Sequence, residues 1–392
     1  MSYTVSPNQS NIIASGIKHE IITIPFNSNL TLGSYATVNI NELNLKLHEL
    51  TIALNCSALT GITGGAAWLV PAQFIVDHIE LVISNNVIDT WYGTEIWLLN
   101  QLMFTDEQRS KYNYASGGPY LNPQSRGSYN SVPNTYYITI PTSLISQAHP
   151  SLLTTGHQIQ LRVYTNPLSS LVNLGSGATG TPVFNILSSS LVARVSRLPP
   201  QMASSELMAM SKKPVGNLYT ETRYQPFTIQ AGTLSSNLVL SSITGNISSL
   251  LFVIRSINPI GDNFFNFTPI TSFNLLDSAS QSICGGLPIT STMSLLEFGK
   301  WNSPSSYLTE SFSPPSSYPN LINANAFLYS FSVDCNQVLL TGQNLSCRNF
   351  VGNEQLQILF PSALSSAVQV DFFAFAHSVA VFSPNGVIKA AL

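Results

Sequence analysis

Short runs rich in Val, Ile, Thr, Tyr and Phe recur along the chain, each bounded by clusters of Gly, Pro, Asn and Ser. That punctuation predicts strands closed by turns. In "HQIQLRVYT" (His157–Thr165), Ile159, Leu161 and Val163 alternate with Gln158, Gln160, Arg162 and Tyr164. A period of two puts the apolar set on one face of a sheet and the polar set on the other. "EIITIPF" (Glu20–Phe26), "LKLHELTIAL" (Leu45–Leu54), "HIELVIS" (His78–Ser84) and "TYYITIP" (Thr135–Pro141) also read as strands. Only two stretches look helical. In "TEIWLLNQLMFTDEQRSKY", Ile96, Leu99, Leu102 and Met103 share one helical face, with Thr94 as the expected N-cap and Glu95 in the first turn. "MASSELMAMSKK" (Met202–Lys213) is shorter, with Ser204 or Ser205 as its cap, and it ends before Pro214.

The second helix follows "RVSRLPPQ", and Pro199-Pro200 cannot continue a central strand. The boundary is therefore expected near residue 200: an N-terminal arm over 1–16, a first β-unit over 17–199, a connection with a short helix over 200–216, and a second β-unit over 217–392. The halves answer each other. "VDHIELVISNNVID" has the outline of "ITSFNLLDSASQSI", "TYYITIP" that of "FLYSFSV", and "IQLRVYT" that of "LQILFP". Two β-units of nearly equal size predict an all-β class: two tandem eight-stranded jelly rolls with short helices in connecting loops.

Composition sharpens the picture. Hydrophobic residues make up 44% of the 392, but charged residues only 8%, against roughly a quarter in typical domains. A neutral polar surface offers little repulsion between copies, which suits a protein that packs against itself and equally a secreted or glycan-covered one. With a net charge of -3 and scattered cations, sequence-specific nucleic-acid binding is not expected. "MSYTVSPNQSNIIASG" lacks the pattern of a secretory signal, and "LLFVIRSI" and "VDFFAFAHSVAVF" are too short to span a membrane; synthesis in the cytosol is expected. Cys56, Cys284, Cys335 and Cys347 lack metal-finger spacing and read as buried free thiols, with a Cys335–Cys347 approach left open. Sequons at Asn8, Asn29, Asn55, Asn246, Asn266 and Asn344 are weak signals in so Asn- and Ser-rich a chain.

Candidate chemistry is thin. His19, His48, His78, His149, His157 and His377 show no metal-ligand spacing. Asp77, Glu80, Asp89 and Glu95 are neighbours in sequence, but alternation sends Asp77 and Glu80 to opposite faces, so a shared carboxylate site is not expected. "GSGATG" (Gly175–Gly180) lacks the Lys of a phosphate loop and reads as an exposed loop. No catalytic, cofactor-binding or metal residue is assigned, and the chain is not expected to be an enzyme. Trp91 and Trp97 read as core. Trp301, in "GKWNSPSSYLTESFSPPSSYPN", lies in a long polar loop that is a candidate outward tower or a disordered insertion. Trp68 and the 15 tyrosines keep a carbohydrate-binding or adhesin-like tandem β-sandwich open as an alternative.

Three stretches carry a family resemblance. "HIELVISNNVIDTWYGTEIWLLNQL" resembles the strand, tight turn, aromatic-Gly and helix of the first jelly roll in double jelly-roll major capsid proteins of icosahedral DNA viruses, with Asn85-Asn86 at the turn where relatives often have Gly-Gly. "YSFSVDCNQVLLTGQNLSCRNF" (Tyr329–Phe350) resembles a second-roll motif, with Gly342, Asn344, Ser346 and Arg348 at matching places; the usual Pro is replaced and Cys347 intervenes. "FFAFAHSVAVFSPNGVIKAAL" resembles the C-terminal strand pair. The lineage includes large eukaryotic DNA viruses, virophages and polinton-like viruses. The resemblance implies a structural protein of the virion, made in the host cytoplasm. It implies a homotrimer whose six jelly rolls form a pseudo-hexameric capsomer, tiling an icosahedral capsid beside neighbouring capsomers. Penton and minor capsid proteins are further candidate partners. The arm Met1–Gly16 is expected beneath the capsomer, against a neighbour, a minor protein or an internal membrane.

Overall fold

The alternating runs before residue 200 form two four-stranded antiparallel sheets in the computed structural model, which describes residues 16–103, 106–117, 123–145, 153–284, 286–290, 293, 325–331, 347–383 and 386–391. The strands are β1 (Lys18–Pro25), β2 (Tyr35–Ile40), β3 (Leu45–Cys56), β4 (Val76–Ile83), β5 (Asn86–Tyr92), β6 (Asn134–Thr139), β7 (Ile159–Thr165) and β8 (Ile186–Arg197). Their orders are β1-β8-β3-β6 and β2-β7-β4-β5. The second half supplies β9 (Val215–Ile229), β10 (Ser235–Val239), β11 (Thr244–Ser256), β12 (Ser272–Leu276), β13 (Ile289–Thr290), β14 (Ala326–Ser330), β15 (Gln355–Leu359) and β16 (Val368–Ser383). These take the orders β9-β16-β11-β14 and β10-β15-β12-β13. Raising every number of the first pair of sheets by eight gives the second pair, so jelly-roll wiring occurs twice. The three sequence pairings are strands in matching positions: β4 with β12, β6 with β14, β7 with β15. Among the described residues the first half adds two small ribbons, Thr60–Thr63 with Thr179–Val183 and Ala67–Leu69 with Val172–Leu174, and the second half adds two strands. Arg348–Val351 pairs with β11, and β17 (Gly386–Ala391) pairs with β16.

The helices differ from the sequence reading. The long helical stretch is two helices, α1 (Gly93–Met103) and α2 (Asp106–Ala115), and α3 (Pro123–Asn130) is one that the pattern did not predict. Thr94 is not the cap. The helix starts at Gly93, and Glu95 Oε2 accepts from the Tyr92 N–H at 3.2 Å, one half of a capping box. Gly93 is required by close approach, because a Cβ there would lie 2.1 Å from the Val76 carbonyl oxygen. Nor does α1 show a polar face, since every residue from Thr94 to Leu102 is buried. Between the halves, α4 (Pro200–Lys212) begins two residues before the expected Met202, with Pro199 at the N-cap and no side-chain cap. Ser204 and Ser205 are interior to it. At the β4–β5 turn the positive φ angles belong to Ser84 and Asn85, not Asn85 and Asn86. Among the described residues only Cys56 of the free thiols is buried; Cys284 is half-buried and Cys347 exposed. The expectations for the arm before Gly16, His149, Trp301, Cys335 and Asn344 fall outside the described residues.

One sheet serves two cores. On the β9-β16-β11-β14 sheet, Leu250, Phe252, Ile254, Phe327, Phe372 and Ala374 face the second roll's core. Their alternates Leu251, Val253, Ala326, Leu328, Phe373 and Phe375 join the first roll's core. Pleating sends alternate residues to opposite faces, so apolar side chains at both parities leave the strands dry on both sides. Phe74 and Trp97 of the first roll meet Phe264, Phe265 and Phe267 of the second, with ring centroids 5.4–6.2 Å apart.

Polar contacts fix the register of this seam. Arg126 on α3, 1% exposed, grips Asp262 of the second roll with two nitrogens, each at 2.9 Å. Trp68 Nε1 (3.1 Å) and Asn173 Nδ2 (2.8 Å) donate to the same carboxylate. Arg126 also lies 5.5 Å from the Phe265 ring centroid. A second cluster joins Asp89 of β5, Glu95 of α1 and Glu221 of β9. Glu221 is held by Arg223 at 2.9 Å and by Lys389 of β17. Glu95 accepts from the Thr222 hydroxyl. Burial pushes Glu95 up to about 8 despite its two hydrogen bonds. Asp89 is held well above the usual carboxylate range by burial first, then by Glu221 and Glu95.

Two outcomes follow from the seam. Arg126→Met leaves Asp262 with a partly buried charge lacking its cation, a loss of roughly 3–5 kcal/mol. Calorimetry should show the rolls melting in two steps; one unchanged transition would contradict the clamp. The second outcome concerns pH. Glu95 holds its proton in the fold but not in the unfolded chain between about pH 4 and 8. The stabilisation is full below that window and is lost by up to about 1.4 kcal/mol per pH unit as pH rises through it. Melting temperatures from pH 5 to 9 should fall less steeply for Glu95→Gln than for the wild type, and parallel curves would contradict the assignment.

Candidate assembly surfaces

The residues with candidate chemistry are dispersed or structurally occupied. His48 and His19 meet through the Ser196 hydroxyl at 2.5 and 2.9 Å. Partial burial lowers the His48 pKa, helped by His19 and Lys46. Asp77 pairs with His78 at 2.7 Å and Glu80 with Arg162 at 3.3 Å. Asp89 is in electrostatic reach of Glu95 and of Glu221 from the second roll, while Asp77 and Glu80 stand in separate pairs. Asp89, Glu95 and Glu221 are sealed in the seam, out of reach of a substrate. Among the described residues no group of three His, Cys, Asp or Glu could hold a metal ion. A shallow cleft of about 160 Å³ on the β2-β7-β4-β5 sheet is lined by the amides Asn39, Asn41, Asn85, Gln158 and Gln160.

What the fold leaves open are sheet faces. On β1-β8-β3-β6, the side away from the core carries aligned rows. One is Thr23, Val192, Thr51 and Thr139, and the next is Pro25, Ser190, Ala53 and Tyr137. A third row, Ile21, Arg194 and Glu49, supplies one ion pair at 3.1 Å. On β10-β15-β12-β13, the outward positions include Asn237, Gln357 and Asn274, with Ser235, Leu359 and Ser272 beside them. Both faces carry few charges. A two-stranded ribbon, Thr60–Thr63 with Thr179–Val183, is largely exposed and uncharged. In it Gly180 and Gly61 approach so closely that a Cβ at either would strike opposing backbone at 2.2 Å.

An aromatic column crosses the β2-β7-β4-β5 sheet on its outer side. Tyr35 stacks on Tyr164 at 5.3 Å, Tyr164 on His78 at 4.1 Å, and His78 lies 5.9 Å from Tyr92. Tyr92 then meets Tyr224 at 4.1 Å and Tyr224 meets Phe373 at 5.2 Å, which carries the column into the second roll. Sequence reading missed it. The signal is an aromatic ring at the same cross-strand position of four strands, visible only once register is known.

Neither a protein-family model nor a curated protein matches the chain. Solved structures do. VP54 of PBCV-1, as fitted into a reconstruction of the virophage Sputnik, superposes with a TM-score of 0.70 at 14% identity, over 96% of this chain and 97% of that one. The Faustovirus major capsid protein gives 0.66 at 7% identity, over 94% and 91%. The mavirus major capsid protein gives 0.55 at 10% identity, over 95% and 90%. At such identities the likeness is one of fold, and the chain is an all-β double jelly roll of the kind found in these viral capsid proteins.

Proposed function

We propose that the chain is the major capsid protein of an icosahedral DNA virus, a structural component of the virion without enzymatic activity. The observation that carries this reading is the repeated strand order, with the two rolls fused along one doubly buried sheet. Three such chains about a threefold axis present six similar sides, a pseudo-hexameric capsomer that can tile a shell beside its neighbours. The near-uncharged open faces support it, since little desolvation cost attends their burial. The likeness of fold to major capsid proteins over more than nine-tenths of the chain supports it as well.

In this reading the rolls are the units 17–199 and 217–392, joined over 200–216. The arm 1–16 lies beneath the capsomer, where it contacts a neighbour, a minor capsid protein or an internal membrane, and penton proteins close the vertices. A carbohydrate-binding role draws on the aromatic column, whose outermost ring, Tyr35, is 60% exposed, and on the amide cleft of the same sheet.

Native mass spectrometry separates the two. The capsid reading expects a particle of three times 42.5 kDa that survives dilution to nanomolar concentration, with an interface above roughly 2,000 Å² per contact as in obligate assemblies. A monomer that binds an oligosaccharide and loses it in Tyr35→Ala would establish the other reading.

A further inference from the structure

We infer that β1 is a releasable edge strand, latched to β8 by a relay of His19, Ser196 and His48, and that mild acid opens the latch. The inference goes beyond the capsid reading and does not depend on it. β1 lies at the rim of its sheet. Among the described residues it pairs with β8 alone, from Lys18 opposite Arg197 to Pro25 opposite Ser190. None of its eight residues is buried. β3, β6 and β8, by contrast, each set apolar side chains into the core. A strand with so little burial sits at the low end of local stability and depends on the bonds that hold its edge.

The relay is built by a β-bulge. Leu47 pairs with Val195 and Glu49 with Arg194, so His48 is the extra residue on β3. A bulge re-aims the side chain it carries, and His48 meets Ser196 as a result. His19 stands opposite Ser196 on the other side. Ser196, only 5% exposed, lies between the two imidazoles, 2.5 Å from His48 Nε2 and 2.9 Å from His19 Nδ1. The ring centroids are 6.2 Å apart.

One hydroxyl has one proton to give. It donates to one ring and accepts from the other, so the relay needs a lone pair on one imidazole and an N–H on its partner. Two imidazolium rings present two N–H groups. The hydroxyl proton then loses its acceptor, and two like charges face each other beside Lys46, with Lys18 on the same strand as His19. The neighbouring carboxylates are already engaged: Glu20 and Glu42 by Arg197, Glu49 by Arg194, and Glu206 of α4 by Lys46. No free anion is at hand to balance the second cation. Burial first, then His19 and Lys46, hold the His48 pKa below its ordinary value. A histidine so held gives stability that is full above about pH 6.5 and is lost as pH falls through that value. The exposed ion pairs of Arg197 contribute too little to replace the relay. Opening the latch bares the hydrogen-bonding edge of β8.

Hydrogen exchange read by mass spectrometry on the full chain tests this at about pH 7.5 and about pH 5.5, with the intrinsic pH dependence of exchange corrected. The window lies above the ordinary range of carboxylates. Protection of the β1 amides should fall about tenfold at the lower pH, while β7, inside the opposite sheet, keeps its protection. The double variant His19→Gln, His48→Gln should show no such fall. Comparing β1 with β7 in the wild type decides the matter even where the variant folds poorly. Wild-type β1 that stays protected at the lower pH would overturn the inference. So would β1 and β7 weakening together, and so would a double variant with the wild-type response.

Discussion

A strand can be dry on one face or on both, and β16 is dry on both. Its sixteen residues are apolar at odd and even positions alike through Phe372, Phe373, Ala374, Phe375 and Ala376. Such a strand has no wet side to give away, so the sheet around it must be covered twice. The second roll covers one side with its own partner sheet, and the first roll covers the other with α1 and β5. The fusion of the rolls is thus a requirement of burial, and the two halves cannot act as beads on a string. Burial alone is non-directional, however. The bidentate grip of Arg126 on Asp262, and the carboxylates gathered around Lys389, convert an apolar contact into one with a single register.

The polar seam has a cost that its chemistry has to meet. A carboxylate taken out of water is tolerated when it is protonated, paired or hydrogen-bonded. All three solutions appear within one cluster: Glu221 paired with two cations, Glu95 hydrogen-bonded from both rolls, and Asp89 shifted toward its neutral form. This is structural chemistry in a setting whose electrostatics resemble those of an active site. Buried acids that act on one another and a perturbed titration are the usual marks of an active site. Here the absence of solvent access to the cluster decides the matter.

Much of the fold was legible in the chain. The alternation in Ile159–Thr165 and the correspondence of β4, β6 and β7 with β12, β14 and β15 gave the class and the duplication, because period two survives local irregularity. The burial of β16 on both faces was not read from the sequence, although Phe372–Ala376 is apolar at both parities. The helices were harder. α3, "PQSRGSYN", has no apolar periodicity, and its position is set by Arg126 and by Asn130, which reaches the Leu69 N–H and the Tyr136 hydroxyl. Thr94 looked like a cap because capping residues are read locally, whereas the Gly93 backbone is placed by the distant Val76 and Gln73 carbonyls. Asp89, Glu95 and Glu221 could not be joined from sequence, because the contact spans more than a hundred residues and crosses between rolls. The open faces share this limit: single exposed threonines mean nothing until register sets them in rows.

The late position of β17 in the chain has its own consequence for biosynthesis. Lys389, the second cation on Glu221, leaves the ribosome some three hundred residues after Glu95. At about 5–20 residues per second, the first roll waits on the order of 15 to 60 s for that partner. For the first part of that interval, until Val215–Ser383 is made, β5 and α1 have no second roll to cover them. The pairing of Glu221 with Lys389 therefore forms only after β17 has been made, long after the first roll is complete.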